Sequence, residues 1–147
     1  MTPRGFRNNN PLNIRLSTAK WRGKRTPSTD PAFEQFDTIQ DGVRAAFRIL
    51  HTYKTRWHCE TIYEIIRRWA PPSENQTNRY VAQVAAGLGL NPMSPVDLAN
   101  KPLACSLIYH MIRVECGSYL SYNLIEQGYD LAFPQSPKNE NSQIVTT

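Results

Sequence analysis

At 147 residues and 40% apolar content, the chain has the size of one ordinary domain, large enough to bury a single core without disulfides or metal. No run approaches the roughly 18 to 20 apolar residues of a membrane span, and Met1-Thr2-Pro3-Arg4 is not followed by the apolar stretch of a signal peptide. The net charge of +5 is concentrated at the front: Arg4, Arg7, Arg15, Lys20, Arg22, Lys24 and Arg25 all precede the first acidic residue, Asp30.

The chain opens on Arg4-Gly5-Phe6-Arg7-Asn8-Asn9-Asn10-Pro11-Leu12-Asn13-Ile14-Arg15, in which three successive amides stand between hydrophobic anchors. Asn carries an acceptor and a donor pair on a short stem, which suits sugar hydroxyls and N-acetyl groups. It equally suits an irregular turn with left-handed residues. Residues 11 to 16 and 32 to 37 have the short alternating or aromatic patterns of two small strands. Thr38, with Asp41 at the third position, predicts the start of a helix whose apolar face is Val43, Ala46, Phe47, Leu50 and Tyr53. Thr61 and Glu64 form the pattern of a capping box for a second helix through Ile62, Ile65, Ile66 and Trp69, which Pro71-Pro72 must end.

A third helix is predicted from about Asn75 to Thr77, through Tyr80, Val81, Val84 and Ala85, stopping in Gly87-Leu88-Gly89. Asn100 can cap a fourth, with Pro102 in the permissive first turn and Gly117 as stop signal. Its middle is apolar nearly all round, which predicts a helix at the centre of the domain. Ser121 can cap a last helix to about Ala132, and the polar, Pro-containing stretch 134–147 reads as a disordered tail. The expectation is one mainly α domain over 1–133 with a small two-stranded β element near its N-terminus.

Cys59, Cys105 and Cys116 contain no Cys-x-x-Cys pair and read as small hydrophobes in a reducing compartment. On one helix, Cys105 and Cys116 would lie about 16 Å apart, beyond disulfide reach. His51, His58 and His110 show no ligand spacing, so neither metal nor cofactor is expected. The basic front could follow nucleic-acid phosphates or the anionic polymers of a bacterial envelope. With no helix-turn-helix, zinc-finger or RNP-type signature, nucleic acid is the less favoured partner.

The Asn run, Ile14, Trp21-Arg22-Gly23, Phe33-Glu34-Gln35-Phe36 and Asp41-Gly42-Val43-Arg44-Ala45-Ala46 follow one another in an order that resembles small proteins of phages and mobile elements. The likeness extends to Arg68-Trp69-Ala70-Pro71-Pro72-Ser73-Glu74-Asn75, Thr77, Tyr80 and Glu115-Cys116-Gly117, and runs from Arg4 to about Ala132. That resemblance implies a virion-associated protein of lysozyme-like character, with bacterial peptidoglycan and virion or secretion-machine proteins as partners. Such a protein, made in the bacterial cytoplasm, would reach the envelope after lysis, in a virion or by non-classical secretion. A looser resemblance is to flagellar-type glucosaminidases, across Asn9 to Arg15, Trp21 to Gly23 and Phe33 to Phe36. Their catalytic Glu lies upstream of the matching segment, so an equivalent here would come from elsewhere in the chain, as in a circular permutation.

Glu115 is the first candidate for chemistry, because it closes an otherwise apolar helix just before Cys116-Gly117. A hydrophobic wall and the negative end of a helix dipole both raise a carboxyl pKa, as a glycosidase general acid requires. The competing reading is a structural ion pair with a neighbouring Arg. Retaining glycosidases need a second carboxylate at roughly 5 to 5.5 Å and inverting ones at roughly 6.5 to 9.5 Å. Asp30, Glu34, Asp41 and Glu74 are the available acids, with Asp41 explained by capping and Glu34 expected to alternate outward on a strand. A lytic transglycosylase, by resemblance, manages with one Glu and the N-acetyl group of its substrate. Asn8, Asn9, Asn10 and Asn13 could hold such groups. Trp69, Glu74, Asn75, Thr77 and Tyr80 bring an aromatic face and hydrogen-bonding groups together, as a carbohydrate groove does. Trp69 and Tyr80 fit the apolar core equally well. The expected function is glycan-strand cleavage as a muramidase or lytic transglycosylase; the other possibility is a virion or secretion-associated structural module that binds peptidoglycan without turnover.

Overall fold

Lys101–Cys116, the helix that the sequence places at the centre, is at the centre of the computed structural model, which describes residues 2–72 and 76–135. Ala104, Cys105, Leu107, Ile108, Met111 and Ile112 are all buried along it, leaving a narrow, partly exposed stripe through Pro102, Ser106, Tyr109 and Arg113. The described residues form six helices in chain order: α1 (Arg4–Arg7), α2 (Ile39–Trp57), α3 (Ile62–Trp69), α4 (Thr77–Leu88), α5 (Lys101–Cys116) and α6 (Tyr122–Ala132). Helix α5 is packed between α4 and α6, α2 lies along α6, and α3 lies against α4.

The helix ends follow their local signals. Thr38 accepts from the Asp41 backbone N–H at the start of α2. Thr61 and Glu64 complete a reciprocal capping box on α3. Asn100 and Ser121 cap α5 and α6 by accepting from Leu103 N and Leu124 N. Gly89 and Gly117 end α4 and α5 in left-handed conformations that cost glycine little. On α2, Val43, Ala46, Phe47 and Leu50 are fully buried, while Tyr53 is half-buried at the edge of the core.

The expected two-stranded β element is not formed: among the described residues the front contains only isolated antiparallel bridges, Arg15 with Phe33 and Lys24 with Phe36. The cause is Asn10. Its Oδ1 accepts from Ile14 N at 2.9 Å, and its Nδ2 donates to the carbonyls of Ile14 at 2.9 Å and Glu34 at 3.0 Å. A buried side-chain amide thus occupies the backbone groups through which the pairing would have continued. Glu34 also differs from expectation: it points inward, fully buried, accepting from Ser17 N and paired with Lys24 at 3.1 Å. The single-turn helix α1 over Arg4–Arg7 has no counterpart in the sequence reading.

Gly42 shows how tightly the front is set on the helices. A Cβ there would lie 2.0 Å from the Asn9 carbonyl oxygen, so α2 meets the Asn run backbone to backbone. No described helix is long and apolar enough to cross a membrane. Ser73, Glu74, Asn75 and residues 136–147, which include most of the expected tail, lie outside the described residues.

Candidate functional site

Glu115 lies in the last turn of α5 and receives three hydrogen bonds from three other parts of the chain. Asn13 Nδ2, in the front, donates to its Oε1 at 3.0 Å. Trp69 Nε1, at the end of α3, and the Tyr80 hydroxyl, on α4, donate to its Oε2 at 3.3 and 3.0 Å. None of these donors is charged. The carboxyl pKa is raised because burial disfavours the anion more strongly than the Asn13, Tyr80 and Trp69 donors and the Arg15 charge favour it. The ion pair with a neighbouring Arg considered above is not what holds Glu115.

Each donor has a local reason for its position. Asn13 sits at φ 54°, a left-handed conformation that Asn tolerates better than most residues, and this turns its amide toward α5. Gly5 leaves room behind it: a Cβ there would lie 3.1 Å from Asn13 Oδ1 and 3.0 Å from Cys116 Sγ. Trp69 is the last residue of α3, and its ring meets Tyr53 edge-on at 6.3 Å. Tyr80 is almost wholly buried, so it serves the core and Glu115 together. Thr77 reaches the Ala70 carbonyl and fastens the start of α4 to the end of α3; its hydroxyl is spent on that link.

Glu115 opens onto two clefts. One, of about 480 Å³, is lined by Asn13, Ile14, Arg15 and Phe33 from the front, Ile49 and Tyr53 from α2, and Arg68, Trp69 and Pro71 at the end of α3. The other, of about 280 Å³, is lined by Gln76, Arg79, Tyr80, Gln83 and Val114. Among the described residues lining either, Glu115 is the acidic one. The other acids considered as partners are engaged elsewhere. Asp30 is held by Arg4 through two contacts of 2.7 Å, by Asn8 and by the Ala32 and Phe33 N–H groups, which hold its carboxyl far below the usual range. Glu34 is paired with Lys24, and Asp41 is nearly buried beside Gly23 and Arg22.

The structure separates the nominated residues into groups. Asn13, Trp69 and Tyr80 converge on Glu115. Asn8 is bonded to Asp30 and Gln35, Asn9 to the Phe36 and Asp37 carbonyls from a left-handed backbone, and Asn10 to Ile14 and Glu34; these three do not line the cleft. Glu74 and Asn75 lie outside the described residues. Tyr53, Arg68 and Arg15 line the cleft but were not singled out in the sequence. Tyr53 looked like one more residue on the apolar face of α2, and only the proximity of α3 turns it toward a site.

The basic front is largely internally compensated. Arg4 stands against Asp30, Arg22 against Asp41, Lys24 against Glu34 and Arg25 against Asp37. That leaves less of a continuous positive stripe for a nucleic-acid backbone than the sequence suggests.

Fold and site define a mainly helical domain with a polar cleft built around one mostly buried carboxyl. No protein-family model matches the chain. It is 40% identical over 134 residues to Protein P5 of Pseudoalteromonas phage PM2, across 88% of this chain and 82% of that protein. The chain belongs to the family of this phage protein, which bears out the phage association read from its motifs.

Proposed function

We propose that this is a lysozyme-like domain that cleaves the glycan strands of bacterial peptidoglycan, with Glu115 as the general acid. One observation carries the reading: a mostly buried carboxyl with a raised pKa, open to clefts on two sides and hydrogen-bonded, among the described residues, by the neutral donors Asn13, Trp69 and Tyr80, with burial outweighing the Arg15 charge. Neutral donors orient the acid without forcing it to ionise, as an arginine partner would. The protonated Glu115 would give its proton to the glycosidic oxygen as the bond to the anomeric carbon breaks. Asn13, Trp69 and Tyr80 would then stabilise the carboxylate left behind.

The absence of a second acid among the described residues of the cleft favours substrate-assisted chemistry. The carbonyl oxygen of the substrate's N-acetyl group would attack the anomeric carbon from the opposite face. Glu115, now a base, would take a proton from water, giving hydrolysis, or from the sugar's own 6-hydroxyl, giving an anhydro product. Tyr53 and Trp69 offer rings for the apolar face of a pyranose.

A second reading rests on the same three hydrogen bonds. Glu115 joins the front, α3, α4 and α5 through one carboxyl, as the tie of a virion-associated module that binds peptidoglycan without cutting it would. Purified sacculi incubated with wild-type protein and with Glu115→Gln distinguish the two by mass spectrometry. Muropeptides released by the wild type alone support the enzyme, with anhydro or reducing ends assigning the reaction. Co-sedimentation with sacculi and no released product from well-folded protein supports the binding module and removes the catalytic role.

A further inference from the structure

Arg68 lies at the end of α3 and lines the cleft that contains Glu115, yet it has no carboxylate partner among the described residues. It is held by rings. Its guanidinium lies 4.1 Å from the centre of the Trp57 ring and 5.5 Å from that of Tyr53. Stacking of this kind fixes the plane of a guanidinium while leaving its N–H groups at the edge available to an acceptor. Trp57 is itself half exposed, an unusual position for so large an apolar ring, and through Arg68 it is linked to Tyr53, whose ring in turn meets that of Trp69 in the cleft.

The surroundings suit an anion. Arg68 and Arg15 line one cleft beside Glu115, and Arg79 lines the other. The sugar backbone of an intact strand is neutral, its lactyl carboxyls being tied up in amide bonds to the peptide stems, and by itself has no use for a preorganised guanidinium. The peptide stems borne by alternate sugars carry free carboxylates, which an Arg fork accepts in bidentate fashion.

Building on the glycan-cleaving reading, we infer that Trp57, Tyr53 and Arg68 form an outer subsite of the cleft in which Trp57 carries a sugar ring and Arg68 binds a carboxylate of the peptide stem. The domain then selects stem-bearing strands over strands that carry no free carboxylate. Arg68 acts in specificity and does not touch the bond that is cut.

The test is a tryptophan-fluorescence titration with two glycan tetrasaccharides, one carrying its peptide stems and one from which an amidase has removed them, its newly freed lactyl carboxylates then capped as neutral methylamides. It is run with wild-type protein on ice and with Glu115→Gln, in which turnover does not consume the ligand. The stem-bearing form is expected to bind about tenfold more tightly at low salt, the gain of one charge-assisted pair, and to lose that advantage as salt rises. Arg68→Gln should bring the two affinities together while leaving that for the stem-free form unchanged, and Arg68→Lys should restore only part of the preference. Trp57→Ala should weaken both. Equal affinities in the wild type, or a preference that survives Arg68→Gln, overturns the subsite and leaves the glycan reading standing. Failure to bind either tetrasaccharide overturns both.

Discussion

Asn13 and Glu115 are joined by a 3.0 Å hydrogen bond across 102 residues of sequence, and through it the front of the chain is attached to the end of the central helix. The bond depends on a left-handed backbone at Asn13. Asn13→Gly keeps that backbone and removes the donor, whereas Asn13→Ala removes the donor and strains the backbone. Urea denaturation should show Asn13→Ala as the less stable of the two by about 1 kcal/mol.

Tyr80 and Trp69 favour the ionised form of Glu115. Removing either donor as Tyr80→Phe or Trp69→Phe raises the Glu115 pKa further. An acid with a higher pKa keeps its proton to higher pH, so the alkaline limb of the rate profile for muropeptide release should move upward in both variants. A profile that stays in place would exclude Glu115 as the group titrating on that limb.

Two carboxyls give stability opposite pH dependences. Glu115 is raised above its ordinary 4.5, so the folded protein binds its proton more tightly than the unfolded chain does. Its contribution is fully present below about 4.5 and is lost as pH rises through the folded value. Asp30 is lowered below its ordinary 3.8 by Arg4, and its contribution is present above that value and lost as pH falls. Melting temperature followed across pH should lose its decline above 4.5 in Glu115→Gln, and part of its acid-side decline in Asp30→Asn.

Asn10 is fully buried and satisfies the Ile14 N–H, the Ile14 carbonyl and the Glu34 carbonyl. Asn10→Ala leaves the Ile14 N–H and the Glu34 carbonyl without their partner, while the Ile14 carbonyl keeps the Glu34 N–H, at a cost of about 3 kcal/mol in chemical denaturation. A loss well under 1 kcal/mol would mean that water replaces the amide.

Gly42→Ala would place its methyl carbon against the Asn9 carbonyl, backbone against backbone, where neither side yields by changing a rotamer. The expected cost is about 3 kcal/mol, at the upper end for overpacking, seen as a lower midpoint in thermal unfolding. Gly89→Ala, which meets no atom within 4 Å, is a control for backbone strain alone.

Helices α2 to α6 were legible in the sequence because their signals are local. A Thr three residues before an acid, a Pro in a first turn or a Gly after an apolar run acts through neighbours in the chain, and 3.6-residue periodicity then identifies the buried face. The prominence of Glu115 was legible for the same reason, since a carboxyl closing an apolar helix stands out in one dimension.

What the Asn run does was decided only by tertiary structure. An amide serves a sugar, a turn or a buried backbone group equally well, and sequence does not say which of these lies beside it. Packing against 32–37 gave Asn10 to the backbone and thereby broke the expected strand pair, while Asn13 alone of the four reached Glu115. Sequence by itself determined where the helices begin and end and which faces they bury, because those choices involve neighbours within about one turn. Which residues surround Glu115, and that their donors are neutral, was settled by contacts between parts of the chain 35 to 102 residues apart, beyond the reach of any local pattern.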